Sequence, residues 1–504
     1  MNNFKDIWAF ATSSSIEDNI KCILLSETPR EVIRYFRNSK NVKILKALIT
    51  RNDIFNINEL ALLNRKVKNA NIEENVKNIE KLTNFCPIPW THIEIATNGT
   101  YRSCCQMVEK PFGVVKTKNT IHGIDSLPLS KVLNSDIHKD LRLQFLQNEK
   151  HVSCNLCWKE EKNKVNSKRQ WELYQAKNKN LIKDLIDNTD LDTGELHDPS
   201  KHLQYLDLRL GNKCNLKCTS CGPTESNLWY DDAYETGYKK IDYFGTNQIY
   251  NLSKQNNKVV IDTNDFNWPS SSTFLSQFEK LNPDRLYFTG GEPSINHEHY
   301  KILSYLINEK KARNITLEYN SNGTAISNRF LSHIKMFKKV HLTLSIDEMF
   351  SRFHYLRYPG KWNSVEQSVK LLKQYAKEVK NITIKVAPTI SIFNVNNIIM
   401  LQEWSNINFG YPVTMHFLEG PEWMNIGLLT KNSREQLIKM YNLYIDQSSN
   451  SDVKQAFTGL CNTIESAKYI DKEIFYKKVK LIDSVRNVSY KDYFNNEIDD
   501  LIQR

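Results

Sequence analysis

From about residue 203 onward, apolar strands alternate with longer amphipathic segments, which places this chain in the α/β class: a parallel sheet with helices outside, open or closed into a barrel. The strand candidates are LQYLDLRL (203–210), RLYFTG (285–290), ITLEY (315–319), VHLTLSI (340–346), ITIKVAPTI (382–390) and VTMHFL (413–418). Helix-like runs such as HYKILSYLINEKKA, SVEQSVKLLKQYAKEV and NSREQLIKMYNLYI lie between and after them. The 504 residues are too many for one ordinary core and imply about two to four folding units.

Taken in order, residues 1–85 read as a helical extension, because apolar residues recur near every 3.6 positions in EVIRYFRNSKNVKILKALI. Residues 86–200 form a cysteine-bearing segment and linker. Within it, HIEIA and TYRSC flank Thr97-Asn98-Gly99, a turn signal that predicts a β-hairpin. The helical stretch SKRQWELYQAKNKNLIKDLI then runs into the polar loop DNTDLDTGELHDPSKH. Residues 201–425 hold the strand–helix alternation, with a polar insertion at about 237–275 in the first crossover, and 426–504 read as a C-terminal helical region.

Lys and Arg (68) exceed Asp and Glu (57) by 11. The excess is spread along the chain, so charge gives little support to a nucleic-acid partner and does not exclude one. No run of eighteen apolar residues occurs, and MNNFKDIWAF lacks a basic segment followed by an apolar one, so a cytoplasmic protein with no membrane partner is expected. In a reducing compartment, ten cysteines clustered in pairs and triplets read as metal ligands rather than disulfides.

The first barrel strand is followed directly by Gly211-Asn212-Lys213-Cys214-Asn215-Leu216-Lys217-Cys218-Thr219-Ser220-Cys221-Gly222-Pro223. Three thiolates in C-x3-C-x2-C spacing can hold three corners of a [4Fe–4S] cube, which leaves one iron open to a small chelating ligand. A structural zinc would want four closed ligands, and three core cysteines would not need this spacing.

The loop resembles the cluster signature of the radical S-adenosylmethionine (SAM) superfamily. Thr289-Gly290-Gly291-Glu292-Pro293, at the end of the next strand, is similar to the family's GGEP element. Asn322 in Asn320-Ser321-Asn322-Gly323 and Ser345-Ile346-Asp347 fall at the ends of the following strands, and Arg357 stands where related enzymes carry a charge near the methionine carboxylate. The resemblance implies a partial (β/α)6 TIM-like barrel. It also implies a SAM-binding [4Fe–4S] cluster on Cys214, Cys218 and Cys221, and SAM held by Gly290, Gly291, Glu292, Pro293, Asn322, Ser345, Asp347 and Arg357. Reductive cleavage of SAM to a 5′-deoxyadenosyl radical would follow, with an electron donor such as flavodoxin or ferredoxin; no catalytic acid or base is identifiable. Ser220 departs from the aromatic residue common before the third cysteine, so adenine packing would fall to groups such as Phe288 or Leu418.

Upstream, Cys86 and Cys104 stand in C-x12-G-x4-C spacing around Gly99, and Cys154 and Cys157 follow as C-x2-C. This small cysteine-rich β-hairpin module is similar to the twitch and SPASM modules, which implies an auxiliary [4Fe–4S] cluster on these four thiols, with Cys105 an alternative to Cys104. Structural zinc on the same thiols is the rival reading. In familiar members the module follows the barrel, whereas here it precedes it. Cys22 and Cys461 lie in apolar helical settings and read as core thiols. The resemblance favours a peptide or protein substrate; a nucleotide, RNA or sugar is the runner-up, and a non-catalytic electron carrier gains nothing from an open iron.

Overall fold

The computed structural model describes residues 72–73, 75–107, 113–178, 180–243 and 248–503. The helical extension before residue 72 and Cys22 lie outside the described residues. The chain divides into two compact units. The first comprises residues up to Pro87 with His138–Val152 and Leu173–His197. It is tied internally by the buried Arg142, whose Nε donates to the Gly194 carbonyl at 2.6 Å, and by Asn148, whose Oδ1 accepts from the Asn84 backbone N–H at 2.9 Å.

The second unit carries a seven-stranded sheet. Its strands are β1 (His92–Ile95), β2 (Tyr101–Arg102), β3 (Tyr205–Arg209), β4 (Arg285–Thr289), β5 (Thr316–Ser321), β6 (Lys339–Leu344) and β7 (Ile382–Val386), in the order β7-β6-β5-β4-β3-β1-β2. All neighbours run parallel except β1 and β2, which pair antiparallel across the turn at Thr97-Asn98-Gly99, where Gly99 takes φ +81°. β1 does more than form a hairpin: it pairs along the free side of β3, with Glu94 opposite Asp207. That covers what would otherwise be an exposed edge.

Alternation along the strands sorts the two faces. Leu206, Leu208, Phe288, Leu317 and Tyr319 are buried on the face covered by helices. There Phe288 stacks on Tyr319 at 5.5 Å and meets His299 edge-on at 4.7 Å, the latter from helix His297–Asn308. Phe288 is thus committed to the helix side and does not line the inner face. The opposite, inner face carries Tyr205, Asp207 and Arg209 on β3, with Arg285 and Tyr287 aligned beside them on β4.

The crossover helices form for local reasons. His297–Asn308 is capped by Asn296, whose side chain accepts from the Glu298 N–H, and buries Tyr300, Leu303 and Leu306 on one stripe. Trp362–Glu378 buries Trp362, Val365, Val369 and Leu372 in the same i, i+3, i+4 rhythm. The run at 382–390 breaks at Pro388, which has no N–H to donate. Beyond it β8 (Thr389–Ile390) pairs parallel with β9 (His416–Phe417) in a separate two-stranded sheet, so the last predicted strand contributes only two residues and does not join the main one.

The polar insertion folds as an antiparallel sheet of Lys240–Asp242, Ile249–Gln255 and Lys258–Ile261. Its Tyr243, Tyr250 and Phe266 cluster over Ala96, and the Tyr243 and Tyr250 hydroxyls bond the side chains of Thr97 and Asn98, so the insertion seats on the hairpin turn. Helices Lys431–Gln447, Ser451–Ser466 and Glu473–Arg486 follow the barrel segment, and Cys461 is buried on the second of them. Among the described residues, no helix is long and apolar enough to cross a membrane.

Candidate active site

The thiol loop leaves β3 through Gly211, whose φ is +79°; a Cβ there would stand 2.3 Å from the Phe266 carbonyl. Only glycine fits that approach. The loop is then pinned from several sides. Cys214 N–H donates to Asn227 Oδ1 at 3.1 Å, Lys217 N–H to the Tyr358 carbonyl at 2.7 Å, and Thr219 N–H to the Leu356 carbonyl at 2.8 Å. Trp229 Nε1 donates to the Cys218 carbonyl at 2.9 Å. From the C-terminal helices, Arg486 donates to the Lys217 carbonyl at 2.8 Å and Thr219 Oγ1 at 3.1 Å, while its Nε pairs with buried Asp232 at 2.8 Å.

The three thiols converge. Cys218 is buried, Cys214 half-buried and Cys221 exposed, and each sits in the field of the others. A hydrogen bond from Cys221 brings Cys218 down to about 7 against the cost of burial, with help from Arg357, whose guanidinium lies 3.9 Å from the sulfur. Burial, then Cys218, pushes Cys214 up to about 12. Among the described residues no three His, Cys, Asp or Glu side chains converge closely enough to share a single metal ion. A cubane asks for something different, one thiolate per iron, with the thiols spaced around its corners.

Around the loop stand the other sequence-predicted residues. Gly290 and Gly291 take φ +76° and +60°, and a Cβ on Gly291 would lie 2.2 Å from the Lys213 carbonyl, so this turn presses directly on the thiol loop. Pro293 opens a single 3-10 turn behind it. Glu292 is buried and braces the site. Its Oε1 accepts from Ser294 N–H at 3.1 Å, Ser294 Oγ at 2.7 Å and Ser321 Oγ at 2.9 Å, and its Oε2 accepts from Asn322 N–H at 2.7 Å. Asn322 Nδ2 in turn donates to Asn215 Oδ1 at 2.9 Å, which joins the third strand end to the thiol loop. Asp347 accepts from Arg357 Nε at 2.7 Å and from Thr389 N–H at 2.8 Å. Burial alone would discharge Arg357, but Asp347 and Cys218 beside it more than offset this and hold it above its ordinary value. Ser345 is half-buried, its N–H bonded to the Ser321 carbonyl at 2.8 Å.

The upstream cysteines divide between the units. Cys86 is buried in the first. In the second, Cys104 and Cys105 follow β2 with their thiols hydrogen-bonded to each other, which brings Cys105 down to about 6 and raises Cys104. Cys154 and Cys157, at the start of helix Asn155–Lys162, are each pushed up to about 12, chiefly by burial, and Cys157 lies within the field of Cys105.

Sequence reasoning missed Arg486, Asp232 and Trp229, which hold the loop from outside the motif. It also missed Glu94, Asp207 and Arg209 on the inner face. The pattern Leu206-Asp207-Leu208-Arg209-Leu210 carried the signal, because charges alternating with leucines in a buried strand must find a polar interior.

Residues 208–398 match the model of the Radical SAM superfamily. No curated protein sequence matches the chain. Among solved structures, "Native anSMEcpe with bound AdoMet and Cp18Cys peptide" is similar at 14% identity and a TM-score of 0.30, over 48% of this chain and 60% of that one. SuiB from Streptococcus suis is similar at 13% identity and a TM-score of 0.31, over 71% and 69%. The chain thus spans less than two thirds of the first of these. Residues 208–398 read as a radical SAM superfamily domain, the part of the chain for which a family match is shown.

Proposed function

We propose that this enzyme abstracts hydrogen from a peptide or protein side chain. The observation that carries the radical part of the reading is the convergence of Cys214, Cys218 and Cys221 beside Glu292, Asp347 and Arg357, which parallel strands present at their carboxyl ends. The peptide part rests on the likeness of the Cys86–Cys157 segment to twitch and SPASM modules.

Cys214, Cys218 and Cys221 would hold a [4Fe–4S] cluster, and the residues at the strand ends would hold SAM. When both are bound and an electron arrives from a donor such as flavodoxin or ferredoxin, they supply a 5′-deoxyadenosyl radical able to take hydrogen from an unactivated carbon. The chain's own residues orient and enclose. Gly290 and Gly291 bring backbone close, with no side chain in the way. Arg357, kept charged by Asp347, offers a buried cation to a carboxylate. Glu292 has one acceptor site left on Oε2 and can receive an ammonium while locking Asn322 in place.

In the same reading the second unit's Cys104, Cys154 and Cys157 belong to an auxiliary [4Fe–4S] cluster. The fourth thiolate, Cys86 from the sequence pattern or Cys105, is identified by which single alanine variant loses cluster absorbance.

The test is isotopic. Deuterated peptides encoded near this gene, incubated anaerobically with reconstituted enzyme, SAM and reductant, should transfer deuterium to 5′-deoxyadenosine. Transfer from labelled RNA, with none from any peptide, would replace the peptide reading.

A further inference from the structure

The inner face of the sheet holds a charge network that does not close. Glu94 on β1, Asp207 on β3 and Tyr287 on β4 share one level of the sheet, and Arg209 stands one residue pair further along β3, level with Thr289. Arg102 lies 3.2 Å from Glu94, and Arg209 lies 3.0 Å from Glu94 and 3.9 Å from Glu225. The two guanidiniums therefore face three carboxylates, and the third, Asp207, is the one left over. Its closest cation is Arg209 Nε at 4.0 Å, outside hydrogen-bond reach; that Nε lies 3.0 Å from Glu94 as an ion pair and itself makes no hydrogen bond. Lys168, the next cation, bonds Tyr205 Oη at 3.0 Å and Glu172 at 3.5 Å. Asp207 is 0% exposed, and neither carboxylate oxygen has a hydrogen-bond donor.

Burial pushes the unpartnered Asp207 well above the ordinary carboxylate range, so its ionised form needs a cation beside it. What it lacks is one positive charge with N–H donors. Its position is also informative: Asp207 lies on the inner face one residue pair below Arg209, on the strand that runs directly into the thiol loop. Beside it Tyr287 is half-buried, whereas Asp207 itself is fully covered.

We propose that Asp207 is the receptor for a primary ammonium group of the substrate, seated on the inner face beside Arg209 and Tyr287. The assignment takes from the proposed function only that the ammonium is carried by a peptide. A compact ammonium with three donors suits an enclosed carboxylate better than a planar guanidinium, which needs a wider fork. The ammonium completes the network's charge balance, and its neutral counterpart would leave both oxygens unpaired. Selectivity then comes from the cost of that unpaired acceptor.

The probe is n-butylammonium chloride, titrated calorimetrically into anaerobic holoenzyme loaded with SAM, with n-butanol as the uncharged control. Saturable binding of the cation is expected, at least tenfold weaker in Asp207→Asn and at least tenfold weaker for n-butanol. Equal binding by wild type and Asp207→Asn, equal affinity for n-butanol, or no saturable binding at all would overturn the proposal, the last because a proton then fills the cation's place. Cluster absorbance reports whether Asp207→Asn is folded. If it is not, Asp207→Glu, which keeps the charge one methylene farther out, and the butanol comparison on wild type decide. 5′-Deoxyadenosine is scored in the same samples, so failure of the radical reading appears there and not in the amine isotherm.

Discussion

Arg486 and Asp232 illustrate how much of the site is held by residues outside any motif. Each side chain is 2% exposed, and together they tie the C-terminal helices to the thiol loop. Removing one partner of a buried pair leaves an uncompensated charge, at about 3–5 kcal/mol. Lys217 also reaches Asp232 and softens the loss toward the low end. Arg486→Met is therefore expected to lower the melting temperature and to loosen the cluster, seen as faster bleaching by a chelator. An unchanged bleaching rate would show that the clamp does not act on the loop. The cysteines and glycines were legible because their chemistry dictates spacing in sequence. Arg486 was not, because a long-range hydrogen bond to a backbone carbonyl leaves no local pattern.

His299 adds a pH dependence at the same scale. Burial among Phe288, Tyr319 and Phe330 lowers it to about 3, and its Nε2 lies 2.9 Å from the Tyr319 hydroxyl. The unfolded chain takes up this proton near 6.5 and the folded one near 3, so the neutral ring's contribution is full above about 6.5 and is lost progressively as pH falls toward 3. Wild type should lose more thermal stability between pH 7.5 and 5.5 than His299→Gln does. Parallel pH slopes for the two proteins would rule the contribution out.

At the scale of elements, the turn after β4 is the sharpest test of how the strand ends press together. Gly291 needs a left-handed backbone, which costs a residue with a Cβ about 1–2 kcal/mol. The added carbon would also strike the Lys213 carbonyl at 2.2 Å. In Gly323→Ala the new Cβ meets only Leu344 Cδ2 at 3.5 Å, so strain is paid there without the clash. Gly291→Ala should weaken SAM binding at least tenfold, equal to about 1.4 kcal/mol, and Gly323→Ala less, as measured by equilibrium dialysis. The reverse order would mean the loop and turn are not in register as described. Strand–helix alternation made most of the sheet readable in advance. The pairing of β1 with β3 was not, because a four-residue strand, HIEI, carries no mark of which neighbour it will take. The last predicted strand shrank to His416–Phe417 because Pro388 interrupts the run it would have matched.

At the scale of the whole molecule, the question is how many clusters one chain carries and what they do. The two [4Fe–4S] clusters proposed above would give about eight irons per chain. The double variant Cys154→Ala/Cys157→Ala should lose about half of the iron while retaining 5′-deoxyadenosine formation uncoupled from substrate. Four irons with stoichiometric zinc in anaerobically purified wild type would assign the upstream thiols to a structural zinc instead. The most direct measurement is of 5′-deoxyadenosine itself, produced from SAM under reduction by anaerobically reconstituted wild type and by Cys218→Ala. Cys218 is the most buried of the three thiols and the one that Arg357 faces. The expected result is 5′-deoxyadenosine and methionine in equal amounts from wild type and none above background from the variant; undiminished formation in Cys218→Ala would contradict the cluster assignment.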